Sequence, residues 1–189
     1  MLGLSLGATK ASVVEQAALI SNFSQGGGSR GSGSDPVQFG PFNVEGNLTF
    51  TENQTINSES GFLKAKYDTT QTNPSGLQVS NIVHESLVHD GMFYKVTFDL
   101  HLNRGADWLT GAGNTTVTVD CTFGNGLAQK EVTPESTFSY DTGAVEINSS
   151  GSNDVLIRFQ TTNDLPLQNA EIYIKNFTFK LGTTAASVA

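Results

Sequence analysis

The stretch from Met92 to Leu102 constrains the fold more than any other part of this sequence. Met92, Tyr94, Val96, Phe98, Leu100 and Leu102 share one parity, and the other parity is polar except for Phe93. Side chains of a strand alternate between two faces, so this pattern describes a half-buried strand of an antiparallel sheet. Val117, Val119, Cys121 and Phe123 repeat it, as do Val155, Ile157 and Phe159. Shorter strands are predicted at Asn47–Thr51, Gly61–Tyr67, Leu77–Val83, Thr137–Tyr140 and Ala144–Asn148.

Near the C-terminus the parity changes. Ile172 and Ile174 share one phase, whereas Phe177, Phe179 and Leu181 share the other. A β-bulge near Lys175-Asn176 would return both sets to one core. Gly, Asn and Pro clusters such as Asn73–Gly76, Gly111–Asn114 and Gly124–Gly126 mark turns between strands. Roughly eight to ten short strands spaced in this way predict an all-β, two-sheet antiparallel sandwich of the jelly-roll type over residues 36–182.

What precedes that domain is different in kind. Residues 25–35 are a Gly/Ser linker with little to bury, and act as a flexible tether. Residues 1–24 form an N-terminal arm. Within it Ser12-Val13-Val14-Glu15 fits a capping box, and the helix it would start, Val13 to about Asn22, aligns Val13, Ala17 and Ile20. Leu2, Leu4 and Leu6 add an apolar strip. A helix of about ten residues is marginal in water, so the arm is expected to order on a surface. Residues 183–189 are read as a small-residue tail.

Composition narrows the function. The net charge is −8, and no cluster of Lys and Arg offers a nucleic-acid footprint. No stretch approaches the ~20 apolar residues of a membrane span, and the N-terminus lacks the basic flank of a signal peptide. The single cysteine, Cys121, sits inside an apolar alternation and reads as a buried thiol. Neither nucleic acid nor membrane is an expected partner, and no cofactor is expected.

The strands Tyr94–Leu100, Thr116–Asp120, Asp154–Phe159 and Glu171–Phe179 together resemble jelly-roll carbohydrate-binding modules, over roughly residues 37–182. In many such modules an Asp precedes the Asn of the last strand and serves a structural calcium. Lys175 stands there in this chain, a departure from that pattern. The N-terminal Met-Leu-Gly-Leu start, with the small residues that follow, resembles the beginnings of tailed-bacteriophage virion proteins. That resemblance implies a non-enzymatic structural protein of the virion, made in the host cytoplasm: a capsid decoration, head fibre or tail appendage. Its arm would dock on major capsid or tail proteins, and a homo-oligomer, with a trimer favoured, would be its assembly.

No catalytic motif appears. His84, His89 and His101 lack paired-ligand spacing, although His84-Glu85 and His89-Asp90 flank one strand end and could share a metal. Asp99 and Asp120, on the polar faces of the two clearest strands, are either solvated sheet residues or a carboxylate pair for glycoside cleavage. Trp108 lies between Arg104 and Asp107 in a turn-like segment. It either stacks on a sugar of a host glycan, as in a carbohydrate-binding tail or host-recognition module, or closes the end of the sandwich or contacts a neighbouring subunit. Five N-x-[ST] sequons, at Asn47, Asn53, Asn114, Asn148 and Asn176, are read as chance products of an Asn- and Thr-rich chain.

Overall fold

A computed structural model describes residues 18–20, 38–39, 42–44, 48–67, 75–79, 82–103, 117–148, 154–161 and 170–189. In chain order its strands are β1 (Ala18–Ile20), β2 (Gln38–Phe39), β3 (Phe42–Val44), β4 (Leu48–Ile56), β5 (Glu59–Tyr67) and β6 (Ser75–Val79). After a 3-10 turn at Glu85–Leu87 come β7 (Phe93–Asn103), β8 (Val117–Phe123), β9 (Gly126–Val132), β10 (Thr137–Asp141), β11 (Val145–Glu146), β12 (Val155–Thr161) and β13 (Glu171–Gly182). A short helix, α1 (Ala185–Val188), follows. The larger sheet has the order β10-β7-β13-β5-β4, with β1 also on β13 and β11 also on β7. The smaller has the order β2-β3-β6-β12-β8-β9. Every pairing is antiparallel, and the two sheets form the jelly-roll sandwich that the alternation predicts.

The core forms where the apolar parities meet. Tyr94, Val96, Phe98, Leu100 and Leu102 of β7 face Val117, Val119, Cys121 and Phe123 of β8 and Val155, Ile157 and Phe159 of β12, all buried. Phe98 stacks on Tyr140 at 4.6 Å between ring centroids, and Phe123 meets Phe179 edge-on at 4.9 Å. Two tyrosines tie the sheets together. The Tyr94 hydroxyl, on the larger sheet, donates to the carbonyls of Cys121 (2.9 Å) and Gly126 (3.0 Å) on the smaller. Tyr140 donates to Val119 at 3.1 Å. Gly126 is required there: a Cβ would lie 2.5 Å from the Glu146 carbonyl and 3.0 Å from the Tyr94 ring. Cys121 is a free, buried thiol whose pKa burial pushes well up, and it acts as a small hydrophobe.

The predicted bulge is present. In β13 the register against β7 shifts between Lys175 and Thr178, and Asn176 adopts φ 54°. Ile172 and Ile174 before it, and Phe177, Phe179 and Leu181 after it, all reach the core. The bulge also divides the second edge of β13. Glu171–Ile174 pair with β5, and Phe177–Phe179 pair with β1.

Three expectations change. The arm helix is not formed at Ala18–Ile20, which are strand β1. The unpaired backbone of β13 beyond its bulge offers a ladder, and so favours extended chain over a helix too short to persist alone. The tail residues fold back as α1, with a Thr184–Ser187 capping box and Val188 fully buried. Strand β9, absent from the reading by alternation, lies at a sheet edge and is mostly polar. Gln129, Lys130 and Glu131 hide its periodicity. It is joined to β8 through Gly124 (φ 53°) and Asn125 (φ 58°), both left-handed, as a two-residue type I′ hairpin requires.

Tyr94→Phe removes a hydroxyl that satisfies two buried carbonyls across the sandwich. Urea denaturation should show a loss of about 1–3 kcal/mol. An unchanged midpoint would mean that the inter-sheet tie contributes nothing.

Candidate functional site

The outward parity of the larger sheet holds a cross-strand row of Thr137 (β10), His101 (β7), Tyr173 (β13) and Lys64 (β5). Glu171 and Asn103 stand opposite one another beside it. A hydrogen-bond chain joins these residues. The Thr137 hydroxyl meets His101 Nδ1 at 2.9 Å, and His101 Nε2 meets Asn103 Oδ1 at 2.6 Å. Because Oδ1 is an acceptor, the network assigns the ring hydrogen to Nε2, with Thr137 donating to Nδ1. Asn103 then donates to Glu171 over a long 3.5 Å, Tyr173 donates to Glu171 at 2.7 Å, and Lys64 pairs with Glu171 at 3.1 Å. Three donors from three strands thus fix one half-buried carboxylate.

Burial alone would raise the Glu171 pKa. The hydrogen bonds from Tyr173 and Lys64, the Lys64 charge and the Asn103 amide outweigh it, and the carboxyl titrates below its usual range. The Tyr173 phenol moves the other way, raised by burial and then by its bond to Glu171.

On an outward face these residues would ordinarily be solvated, yet Phe62 is 0%, Tyr173 5% and His101 6% exposed. Phe62, from the β4–β5 hairpin, meets Tyr173 edge-on at 6.5 Å between ring centroids, and the tip of that hairpin reaches across the same face. Lys64 and Thr137 stand three inter-strand steps apart, roughly 14 Å at about 4.8 Å per step. Asn57, at the hairpin turn, nevertheless donates to Thr137 at 3.3 Å. Glu59 pairs with Lys175, whose ammonium lies 4.5 Å from the centre of the Phe62 ring. Leu63 is the first residue of β5 with a partner on β13, and the hairpin tip that precedes it extends over β13 and β7 to reach β10. Two register shifts, between Thr51 and Gln54 and between Gln54 and Ile56, produce the bend, and Gly61 takes φ 87° within the second.

Five of the ten Lys and Arg residues, Lys64, Lys66, Lys95, Lys175 and Lys180, share this outward parity. Three are ion-paired, Lys64 with Glu171, Lys175 with Glu59, and Lys95 with Asp141 at 3.1 Å. In an acidic protein this face is locally close to neutral. The position that departs from the calcium pattern, Lys175, carries its own cation and uses it on Glu59 and Phe62.

Several residues singled out in the sequence are placed apart. Asp99 lies on the outward face of the larger sheet, accepting from Ser139 (2.8 Å) and Asn176 (2.6 Å), whereas Asp120 lies on the outward parity of the smaller. With a core of about 10 Å between the sheets they cannot act as an acid/base pair. His84 caps the 3-10 turn through Ser86. Among the described residues no group of three or more His, Cys, Asp or Glu is placed to hold a metal ion. Trp108, Arg104 and Asp107, and the arm residues Leu2, Leu4, Leu6, Val13 and Ala17, lie outside the described residues, and Ile20 ends β1. The segment carrying Trp108 leaves β7 at Asn103, beside His101 and Glu171.

Parity placed His101 on the polar face of its strand, but sequence reasoning did not single out Glu171, Tyr173, Asn103, Lys64 or Phe62. The available signal was Phe62, an apolar residue on the same parity as Lys64 and Lys66, which marks an outward face with something above it.

No protein-family model matches the sequence, and no curated protein matches it. Solved structures do share the fold. The C-terminal family 22 carbohydrate binding module of Clostridium thermocellum Xyn10B is similar with a TM-score of 0.53 and 15% identity, over 78% of this chain and 89% of that one. A xylan-binding domain of the same module family is similar with a TM-score of 0.54 and 13% identity, over 87% and 94%. A cyclase from Fischerella sp. TAU is similar with a TM-score of 0.51 and 11% identity, over 89% and 99%. At these identities the likeness is one of fold.

The lowered carboxyl of Glu171, and that of Asp141, which accepts from the Gly143 amide and Lys95, give a signed pH dependence. Burial opposes the shift in both and is outweighed. A depressed folded pKa adds stability above the unfolded value of about 4 and loses it as pH falls through the folded one. The urea midpoint should therefore fall below about pH 4, and Glu171→Gln should flatten that acid limb. An equally steep limb in the variant would show that the Glu171 network is not ionically held.

Proposed function

We propose that this chain is a non-catalytic glycan-binding module that uses the outward face of the larger sheet. The observation that carries the reading is the Glu171 cluster. A carboxylate, an ammonium, an amide, an imidazole and a phenol, contributed by β5, β7 and β13, are held in fixed orientation on one rigid sheet. Neighbouring acceptors and donors of this kind match the paired hydroxyls of a sugar ring, and Tyr173 supplies aromatic surface for its C–H face. Local charge balance on this face suits a neutral saccharide better than an anionic one. The two carbohydrate-binding neighbours support the reading, one of them a xylan-binding domain. Trp108, on the segment that leaves from Asn103, is the proposed second aromatic platform, with Arg104 and Asp107 beside it.

The virion role rests on the arm and linker sequences alone. It is compatible with glycan binding, since an arm-anchored appendage would still present this face. Its described part, β1, edges the sandwich itself, which leaves residues 1–17 to meet any capsid or tail protein.

Calorimetric titration with xylohexaose and cellohexaose tests the proposal. One of the two should bind the wild type, and Glu171→Gln and Trp108→Ala should each weaken that binding about tenfold, or ~1.4 kcal/mol. A wild type that binds neither sugar, or variants that bind as well as it does, would overturn the assignment.

A further inference from the structure

We propose that the β4–β5 hairpin tip, Ile56–Gly61, is a strap that opens and closes over the outward face of the larger sheet, and that a saccharide gains that face only when the strap lifts. The second half of this inference rests on the glycan-binding reading; the first does not. The closed position is held at two points. Asn57 donates to Thr137, 80 residues away, and Glu59 pairs with Lys175, 116 residues away. Both are surface contacts, and the Glu59 side chain is 61% exposed, so neither holds strongly. What lies beneath is substantial: Phe62, Tyr173 and His101, all nearly or fully buried. A weak latch over a preformed aromatic and polar surface is the arrangement expected of a segment that opens locally.

The hinge and the coupling are also present. Leu63 is anchored in the core, and two residues before it Gly61 holds a left-handed φ within the second register shift. Bending there moves the tip without disturbing the pairing of Leu63–Lys66 to β13. Asn57 grips the same Thr137 hydroxyl that orients His101. Lifting the tip therefore frees one end of the chain Thr137–His101–Asn103–Glu171 while its other end stays fixed by Tyr173 and Lys64. Closure also covers Tyr173, so ligand and strap compete for one surface. Apparent affinity is then reduced by the fraction of molecules with the strap closed.

Amide hydrogen exchange of the full chain, followed residue by residue without ligand, reads the strap directly. In the wild type, residues 56–61 should exchange at least a hundredfold faster than Phe98 and Ile174 in the core strands. In Asn57→Gly/Glu59→Gln, where Gly tolerates the left-handed φ of 50° that position 57 adopts, they should exchange about tenfold faster still, with the core amides unchanged. Exchange of 56–61 at the core rate, or no acceleration in the double variant, would overturn the strap. Titration with whichever of xylohexaose and cellohexaose the wild type binds then separates the two ideas. Tighter binding by the double variant supports competition between strap and sugar, and weaker binding refutes it. A strap that opens in a protein binding no sugar would leave the strap standing, and would remove both its role in admitting saccharide and the glycan reading.

Discussion

Strand β13 runs through the middle of the larger sheet and changes parity once, between Lys175 and Thr178. Without that extra residue, one of its two apolar sets would point to solvent, because a one-residue slip moves every following side chain to the other face. Asn176 takes the left-handed conformation there, and its amide is bonded to Asp99 on the neighbouring strand. The same irregularity ends the pairing of β13 with β5 and opens an edge that β1 fills. Released from the sheet at this point, the distal part of the hairpin turns across the outward face. Core, sheet edge and covered surface thus share one origin.

The parts of the fold that depend on local periodicity were legible in the sequence. β7, β8 and β12 alternate cleanly because each has one face on the core, and the parity break at Lys175-Asn176 announced the bulge. Strand β9 was not legible, since an edge strand with exposed Gln129, Lys130 and Glu131 carries little apolar signal. Nor was β1, whose extended form depends on an edge more than 150 residues further along the chain. The site was hidden for a related reason. His101 reads as a solvated strand residue until the hairpin tip is known to lie over it, and that requires contacts between Asn57 and Thr137 and between Glu59 and Lys175. No window of sequence contains them.

The structure also separates two kinds of buried polar group. Tyr94 and Tyr140 are inside the sandwich, donate to carbonyls of the opposite sheet, and serve the fold. His101 and Tyr173 are buried from the other side, by a hairpin rather than by a sheet, and join a network that ends at a half-buried carboxylate. Hydrogen bonds between strands of a rigid sheet fix side-chain positions at little further entropic cost, the preorganisation that the proposed recognition role requires. The jelly-roll neighbours show that this architecture carries carbohydrate-binding modules and also a cyclase, so the chemistry of the face, and not the fold, has to support the functional assignment.

A saccharide is proposed to meet the outward face of the larger sheet, with Trp108 beside it, and not the smaller sheet. A nitrogen–proton correlation spectrum recorded during separate titrations with xylohexaose and with cellohexaose tests this placement. The account predicts shifts at Lys64, His101, Asn103, Glu171 and Tyr173 and along Ile56–Gly61, with Thr122, Leu127 and Leu156 on the smaller sheet unmoved. Shifts centred on those smaller-sheet residues, or none anywhere at millimolar concentrations of either sugar, would contradict it.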